Sequence, residues 1–334
     1  MANKLMCILL SVAALYLSAL ASICNLTQDQ PLRVETYVNT EQGVNMVSSL
    51  IIGSQASMVI DLPMTIGKSK ELASWVKATT DKPVVAAFTS HNHPDHYLGN
   101  SAFFEEFPDA RYYAKARVAR GIQSEAAKKV EDWSRTFGSH NVVQNTSIPS
   151  VYDYSFFALP GDENAPVYLF DPLSADTIDV TIFWIPSMRV LVPGDAIFGH
   201  DLHIWLSDLV TPALTESWLT SLQFMAGLQP SAIIPGHASS NSCFDGTQDL
   251  DHTYEYIKFF QGEIESKGPD YFTPTEIYNL FDRQFPGMVN TGSKTGLNRL
   301  NISAEHFGRG GKRRVHYQPL STFNDSAVLN GWIL

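Results

Sequence analysis

After a polar stretch at the start of the readable pattern, three β-branched and partly alternating runs follow one another at residues 32–38, 44–52 and 56–62. Glycines and polar turns separate them, and a period of two broken by turns predicts a meander of strands. The period then changes. Residues 67–80 place Leu72, Trp75 and Val76 on one helical face. Residues 83–88 (PVVAAF) form a continuous apolar run, the pattern of a strand buried on both faces. That run leads directly into a polar loop, Thr89-Ser90-His91-Asn92-His93-Pro94-Asp95-His96.

Further on, the pattern predicts a short helix at 98–106, a strand at 112–114 and a longer helix at 116–136. Turn signals and short strands fill 139–171. Residues 180–192 predict two strands joined at Pro186-Ser187, and they feed Pro193-Gly194-Asp195. A helix is expected at 215–227, then a short strand at 232–234 that runs into Pro235-Gly236-His237. Helices at 251–267 and 274–284 follow, and the remainder reads as irregular. Alternating blocks of strand and helix imply two mixed β-sheets face to face with helices outside, an αββα sandwich of the α/β class.

The chain has 334 residues, which one large sandwich with a helical extension from about residue 250 can use. Composition is that of a folded protein, and no repeat is visible. The formal net charge of −11 argues against nucleic acid or an anionic membrane as partner. The basic run at 309–314 (RGGKRR) reads as a solvated loop.

Residues 1–21 read as a signal peptide. Lys4 gives the positive start, 5–20 is apolar, and Ala19-Leu20-Ala21 is a small-x-small cleavage site before Ser22. A retained membrane anchor is the competing reading, and the cleavage site with polar sequence behind it favours removal. The expectation is a secreted protein of residues 22–334 without a stable membrane anchor. Asn25, Asn145, Asn301 and Asn324 begin N-x-S/T sequons, which accords with export. Once the leader is gone, Cys24 and Cys243 can form at most one internal disulfide.

Histidine is scarce, ten residues in the whole chain, so His91, His93 and His96 with Asp95 inside one six-residue loop stand out. Imidazoles and a carboxylate on a tight loop suit zinc, manganese or iron. A surface cluster of histidines is the alternative reading.

His91-Asn92-His93-Pro94-Asp95-His96 resembles the HxHxDH signature of the metallo-β-lactamase superfamily. Asp61 is similar to the acidic residue that ends an early strand there, Gly194-Asp195 to the GD loop, and Pro235-Gly236-His237 to the late PGH. The resemblance implies a metallo-β-lactamase-like domain with two metal ions, zinc by preference. His91 and His93 would serve the first ion; Asp95, His96 and His237 the second; Asp195 would bridge. Family members carry one more histidine ahead of the GD loop, where this chain has none. Asp176 and Ser174 fall there on alternative registers, and His200 and His203 are further candidates, with His203 preferred as an auxiliary residue.

The activity so implied is hydrolysis of a small ester, lactone, lactam or amide, a secondary metabolite among the candidates, by a metal-activated water that Asp95 orients. Trp205, Tyr97 and Phe198 lie close to the motifs and are candidates both for lining a pocket and for core packing. An iron-dependent redox enzyme of the same fold and a binding protein without catalysis are the competing readings.

Overall fold

The computed structural model describes residues 32–209, 211–240, 244–290 and 298–313. The expected leader at 1–21, Cys24, Asn25, Cys243 and Asn324 lie outside these residues.

In the first sheet, β1 (Arg33–Asn39), β2 (Met46–Ile52) and β3 (Ser57–Ile60) pair antiparallel in chain order. β4 (Val84–Phe88), β5 (Arg111–Ala114) and β6 (Ser150–Val151) then add in parallel. The second sheet sets β7 (Phe156–Phe157), β8 (Val167–Leu173), β9 (Val180–Ile185) and β10 (Val190–Val192) antiparallel, and β11 (Ala232–Ile233) parallel to β10. Both sheets are therefore mixed.

Two-faced burial explains the layers. On β2, Val47 and Ile51 meet Phe183, Ile185 and Val190 of the other sheet. Leu50 and Ile52 turn outward onto Leu72 and Val76 of α1 (Ile66–Thr79) and Phe103 of α2 (Asn100–Phe104). α3 (Ala116–Phe137) lays Val118, Ile122 and Ala126 over Met64, Tyr97 and Leu98. The outer face of β9, Val180, Ile182 and Trp184, packs on Trp218 and Leu222 of α4 (Pro212–Gly227) and Ile257 of α5 (Gln248–Phe259). Helix, sheet, sheet and helix are thus glued by three apolar interfaces, and every residue of β2 and β9 is buried.

α6 (Pro274–Gln284) starts and stops where the sequence pattern places it, fixed by a capping box between Thr273 and Glu276. Two expectations are corrected beyond residue 250. The helix expected through 267 ends as α5 at Phe259 and passes into a π-helical turn, Phe260–Ile264, around Gly262, whose missing side chain weakens a regular helix. The tail read as irregular holds α7 (Arg299–Phe307), capped by the Asn298 side chain, which accepts from Asn301 N–H at 2.8 Å. Leu300 and Ala304, one turn apart, bury it against the second sheet's helices.

The basic run is an exposed loop where it is described. Arg313 there pairs with Asp270. Among the described residues no helix is long and apolar enough to cross a membrane.

Candidate metal centre

Parallel pairing of β3 with β4, and of β10 with β11, sends their C-terminal ends to one edge of the sandwich, where the polar loops converge. Asp61 follows β3 with a positive φ of 64°, a conformation that aspartate tolerates better than most residues. Its buried carboxylate accepts from Ser90 N–H and Ser90 Oγ, both at 2.7 Å, and lies 2.9 Å from His96 Nδ1. Gly194 (φ 54°) and Gly236 close the opposite side. A Cβ on Gly236 would collide with the Asp195 carboxylate, so that loop passes only as glycine.

Two groups of ligand-type side chains result. His91, His93, Asp176 and Asp195 form one; Asp95, His96 and His237 form the other. Asp195 stands between them, with Oδ1 3.1 Å from His96 Nε2 and Oδ2 3.1 Å from His237 Nε2 and 4.0 Å from His91 Nε2. Asp176 reaches the first group from the loop between β8 and β9, its Oδ2 2.9 Å from His93 Nδ1. Asp95 Oδ2 lies 3.3 Å from His237 Nε2.

Each histidine is held from outside by one ring nitrogen while the other faces the carboxylates. His91 Nδ1 contacts Ser90 Oγ at 2.9 Å, and His96 Nδ1 contacts Asp61. His237 Nδ1 lies 3.0 Å from Val44 O and 2.6 Å from Arg299 Nη2. His93 Nε2 lies 3.2 Å from Asp208 Oδ2, which also accepts from Trp205 Nε1 at 2.6 Å. Acceptors such as Asp61, Asp208 and the Val44 main-chain oxygen fix the ring orientation that a metal requires.

His91 Nε2 is buried and makes no hydrogen bond, and the buried carboxylates of Asp176 and Asp195 are answered by ring nitrogens of His93, His96 and His237. Burying carboxylates this way costs several kcal/mol per ion, roughly, unless a cation compensates. Mixed imidazole and carboxylate donors fit a divalent ion such as zinc, manganese or iron.

Ionisation follows the same crowding. Burial drives the His91 pKa well below its ordinary value, and the neighbouring His96 adds to the effect. Burial opposes a charge on His93 too, yet the carboxylates of Asp176 and Asp208 reverse this and push it up to about 10. His96 is likewise raised against its burial by Asp195 and Asp61. Burial pushes Asp176 up to about 7, with His93 opposing. Asp95 and Asp195 are held below the carboxylate range by His237 and His96 despite burial. In the metal-free protein the carboxylates thus favour the protonated forms of His93 and His96.

A cleft opens onto the centre, lined by Val44, Met64, Trp133, Trp205 and Arg299 beside His93, Asp95 and His237. Trp205 lines it as one of the sequence readings allowed. Tyr97 and Phe198 are fully buried, and Phe198 stacks on the His237 ring. The preference for His203 as an auxiliary residue is corrected. It joins neither ligand group, and its Nδ1 lies 3.0 Å from the Tyr256 hydroxyl inside the core. His200 pairs with Asp249 at 2.6 Å, and Asp179 faces Arg117 at 3.5 Å. Asn145 is exposed in a loop and Asn301 is exposed on α7. Arg299 and Asp208 escaped the sequence reading. Neither sits in a motif, and only the Asn298 cap with Leu300 and Ala304 behind it could have signalled α7.

Two mixed sheets between helix layers, with histidine and aspartate gathered at the strand ends, define an αββα protein with a candidate site for divalent metal. A family model described as the metallo-beta-lactamase superfamily matches residues 43–237, more than half of the chain, and the protein belongs to that superfamily. Metallo-beta-lactamase IND-1 of Chryseobacterium indologenes is 22% identical over 214 residues, spanning 63% of this chain and 77% of that protein. Among solved structures, a metallo-beta-lactamase from Pontibacter korlensis is 17% identical, with 70% of this chain and 97% of that one covered and a TM-score of 0.49. The DIM-1 metallo-beta-lactamase gives 16% identity, 70% and 95% coverage and a TM-score of 0.48.

Proposed function

We propose that this chain is a secreted, zinc-dependent hydrolase that cleaves a small-molecule ester, lactone, lactam or amide, with two ions at its centre. The observation that carries the reading is the shared carboxylate. Asp195 stands between two groups of ligand-type side chains, most of them buried, whose histidines are all braced from outside and whose other ring nitrogens turn toward the carboxylates. When bound, divalent ions supply Lewis acidity and a water acidic enough to attack a carbonyl at neutral pH. His91, His93, Asp176 and Asp195 would hold the first ion; Asp95, His96, His237 and Asp195 the second.

The chain's own residues supply the rest. Asp95 borders the cleft as a carboxylate, so it can accept a hydrogen bond from the attacking water and orient it. Trp133, Trp205, Met64 and Val44 give the cleft apolar walls that exclude bulk water and cover the uncharged parts of a substrate. The leader at 1–21 and the exposed Asn145 support export, with a mature chain from Ser22.

Elemental analysis of purified protein, paired with lactone, ester and lactam assays before and after chelation, tests this reading. Zinc in the protein, loss of turnover on chelation and recovery with added zinc are expected. Protein free of zinc, manganese and iron after gentle purification would sink it. One observation favours a second reading. The Asp176 carboxylate stands in the first group where the resemblance calls for imidazole, and a harder donor shifts preference toward manganese or iron. Iron with no hydrolysis would move the assignment to redox chemistry.

A further inference from the structure

The Asn92 residue between His91 and His93 is gripped by a pair of side chains that belong to neither ligand group. Glu125 and Lys129 sit one turn apart on α3 and form an ion pair of 2.5 Å whose side chains are only 5% and 3% exposed. Both reach Asn92. Its side-chain amide donates to Glu125 Oε1 at 3.3 Å, and its main-chain oxygen accepts from Lys129 Nζ. The ammonium also lies 5.8 Å from the centre of the Tyr97 ring. A buried pair like this is poor at stabilising a fold, because desolvating two ions offsets most of their attraction. Its geometry suggests another use.

Asn92 lies between two residues of the first ligand group. The oxygen that Lys129 holds belongs to the peptide joining Asn92 to His93. A peptide is planar, so fixing that oxygen fixes the plane from which His93 leaves the chain. His93 carries the contacts to Asp176 and Asp208 on its two ring nitrogens. A rotation of the peptide would swing the ring off both. His91 and His96 are secured separately, through Ser90 and Asp61.

We propose that Glu125 and Lys129 are positioning residues for the first metal, acting through Asn92 on His93. The proposal rests on the metal reading above and deepens it. Removing the grip weakens the first ion and leaves the second, held by Asp95, His96 and His237, almost unchanged.

The test replaces the pair together, Glu125→Leu with Lys129→Met, so that no buried charge is left alone. Cobalt(II) is the probe, titrated into metal-free protein and followed by its visible absorption, with thermal unfolding of the metal-free protein measured alongside. Melting should stay level or rise, while the cobalt equivalent that Asp176→Ala abolishes loses about tenfold or more in affinity and the other holds within about twofold. Both equivalents binding as in the parent, with the same spectrum, would overturn the proposal. Equal weakening of both, in step with a fall in melting temperature, would make the pair a general structural element and overturn it too. Should the double variant not fold, Lys129→Gln, which keeps a donor near the Asn92 oxygen without the charge, is titrated in the same way against the same outcomes. A parent protein that takes up no cobalt would instead defeat the metal reading itself.

Discussion

Asp176 Oδ2 stands 2.9 Å from His93 Nδ1, with the whole carboxylate buried. That placement makes Asp176 the residue that completes the first ligand group.

Asp176→Ala should therefore remove about one metal per chain and most of the activity. Asp179→Ala, three residues on but turned toward Arg117, should leave metal content near that of the parent. Asp176→His should tighten zinc at this position by about tenfold, since imidazole is the softer donor. Metal content after dialysis, measured for the three variants side by side, decides the matter. Full metal and full turnover in Asp176→Ala would mean the ligand lies elsewhere.

Asp208 is expected to act through His93. Asp208→Asn removes the carboxylate that faces His93 Nε2 at 3.2 Å while keeping an oxygen that can accept from Trp205. Metal affinity should fall by about 10- to 100-fold, as for other outer partners of a ligand histidine. Competition against a chromophoric chelator gives the number. An unchanged affinity would show that Asp208 does not orient the ring.

Metal binding should expel protons. His93 and His96 have pKa values raised in the metal-free fold, His93 to about 10, so the surrounding carboxylates favour the protonated form of each ring. Their attraction to the carboxylates stabilises the metal-free fold fully below the ordinary histidine range, and is lost as pH climbs through the raised values. An entering cation must displace those protons, so its affinity should increase with pH across the neutral range. Calorimetry in buffers of differing ionisation heat should find net proton release on loading, at least one proton per chain from His93. Binding without proton release would contradict the charge state described here.

His203 should shape the acid limb of stability. Burial lowers its pKa to about 4, so the native state holds it neutral while the unfolded chain protonates it near the ordinary value. The unfolded state then binds more protons, and stability falls as pH drops from about 6.5 toward about 4. The loss amounts to about 3 kcal/mol at most. His203→Gln should flatten that limb in urea titrations at stepped pH, and an unaltered slope would assign acid sensitivity to other groups.

Much of this was readable in the chain. Strands such as β2 and β4, and the capped helix α6, announce themselves because burial and capping leave local patterns. The five ligand positions in the HxHxDH and PGH loops and Asp195 are equally plain, because their spacing is a chemical requirement. Asp176 was reachable only by counting back from Asp195, with Ser174 left as a rival, since a lone aspartate in a loop has no pattern of its own. Asp208, Arg299 and the Glu125–Lys129 pair were invisible. Each acts through contacts across long stretches of chain, which periodicity does not encode. His203 misled for the converse reason, because closeness in sequence to the GD loop did not bring it into either ligand group.

Arg299 ties its guanidinium to the main-chain oxygen of Val44, 255 residues earlier, and to His237, 62 residues earlier. At about 5–20 residues per second of synthesis, Val44 waits roughly 13–50 seconds for that partner, and His237 about 3–12 seconds. The matched family segment is by then already made, yet one wall of its cleft and the outer brace of one histidine are still inside the ribosome. The centre is thus finished last, by the final described helix, and a nascent chain that stalls after His237 would present its ligands without the arginine that squares them up.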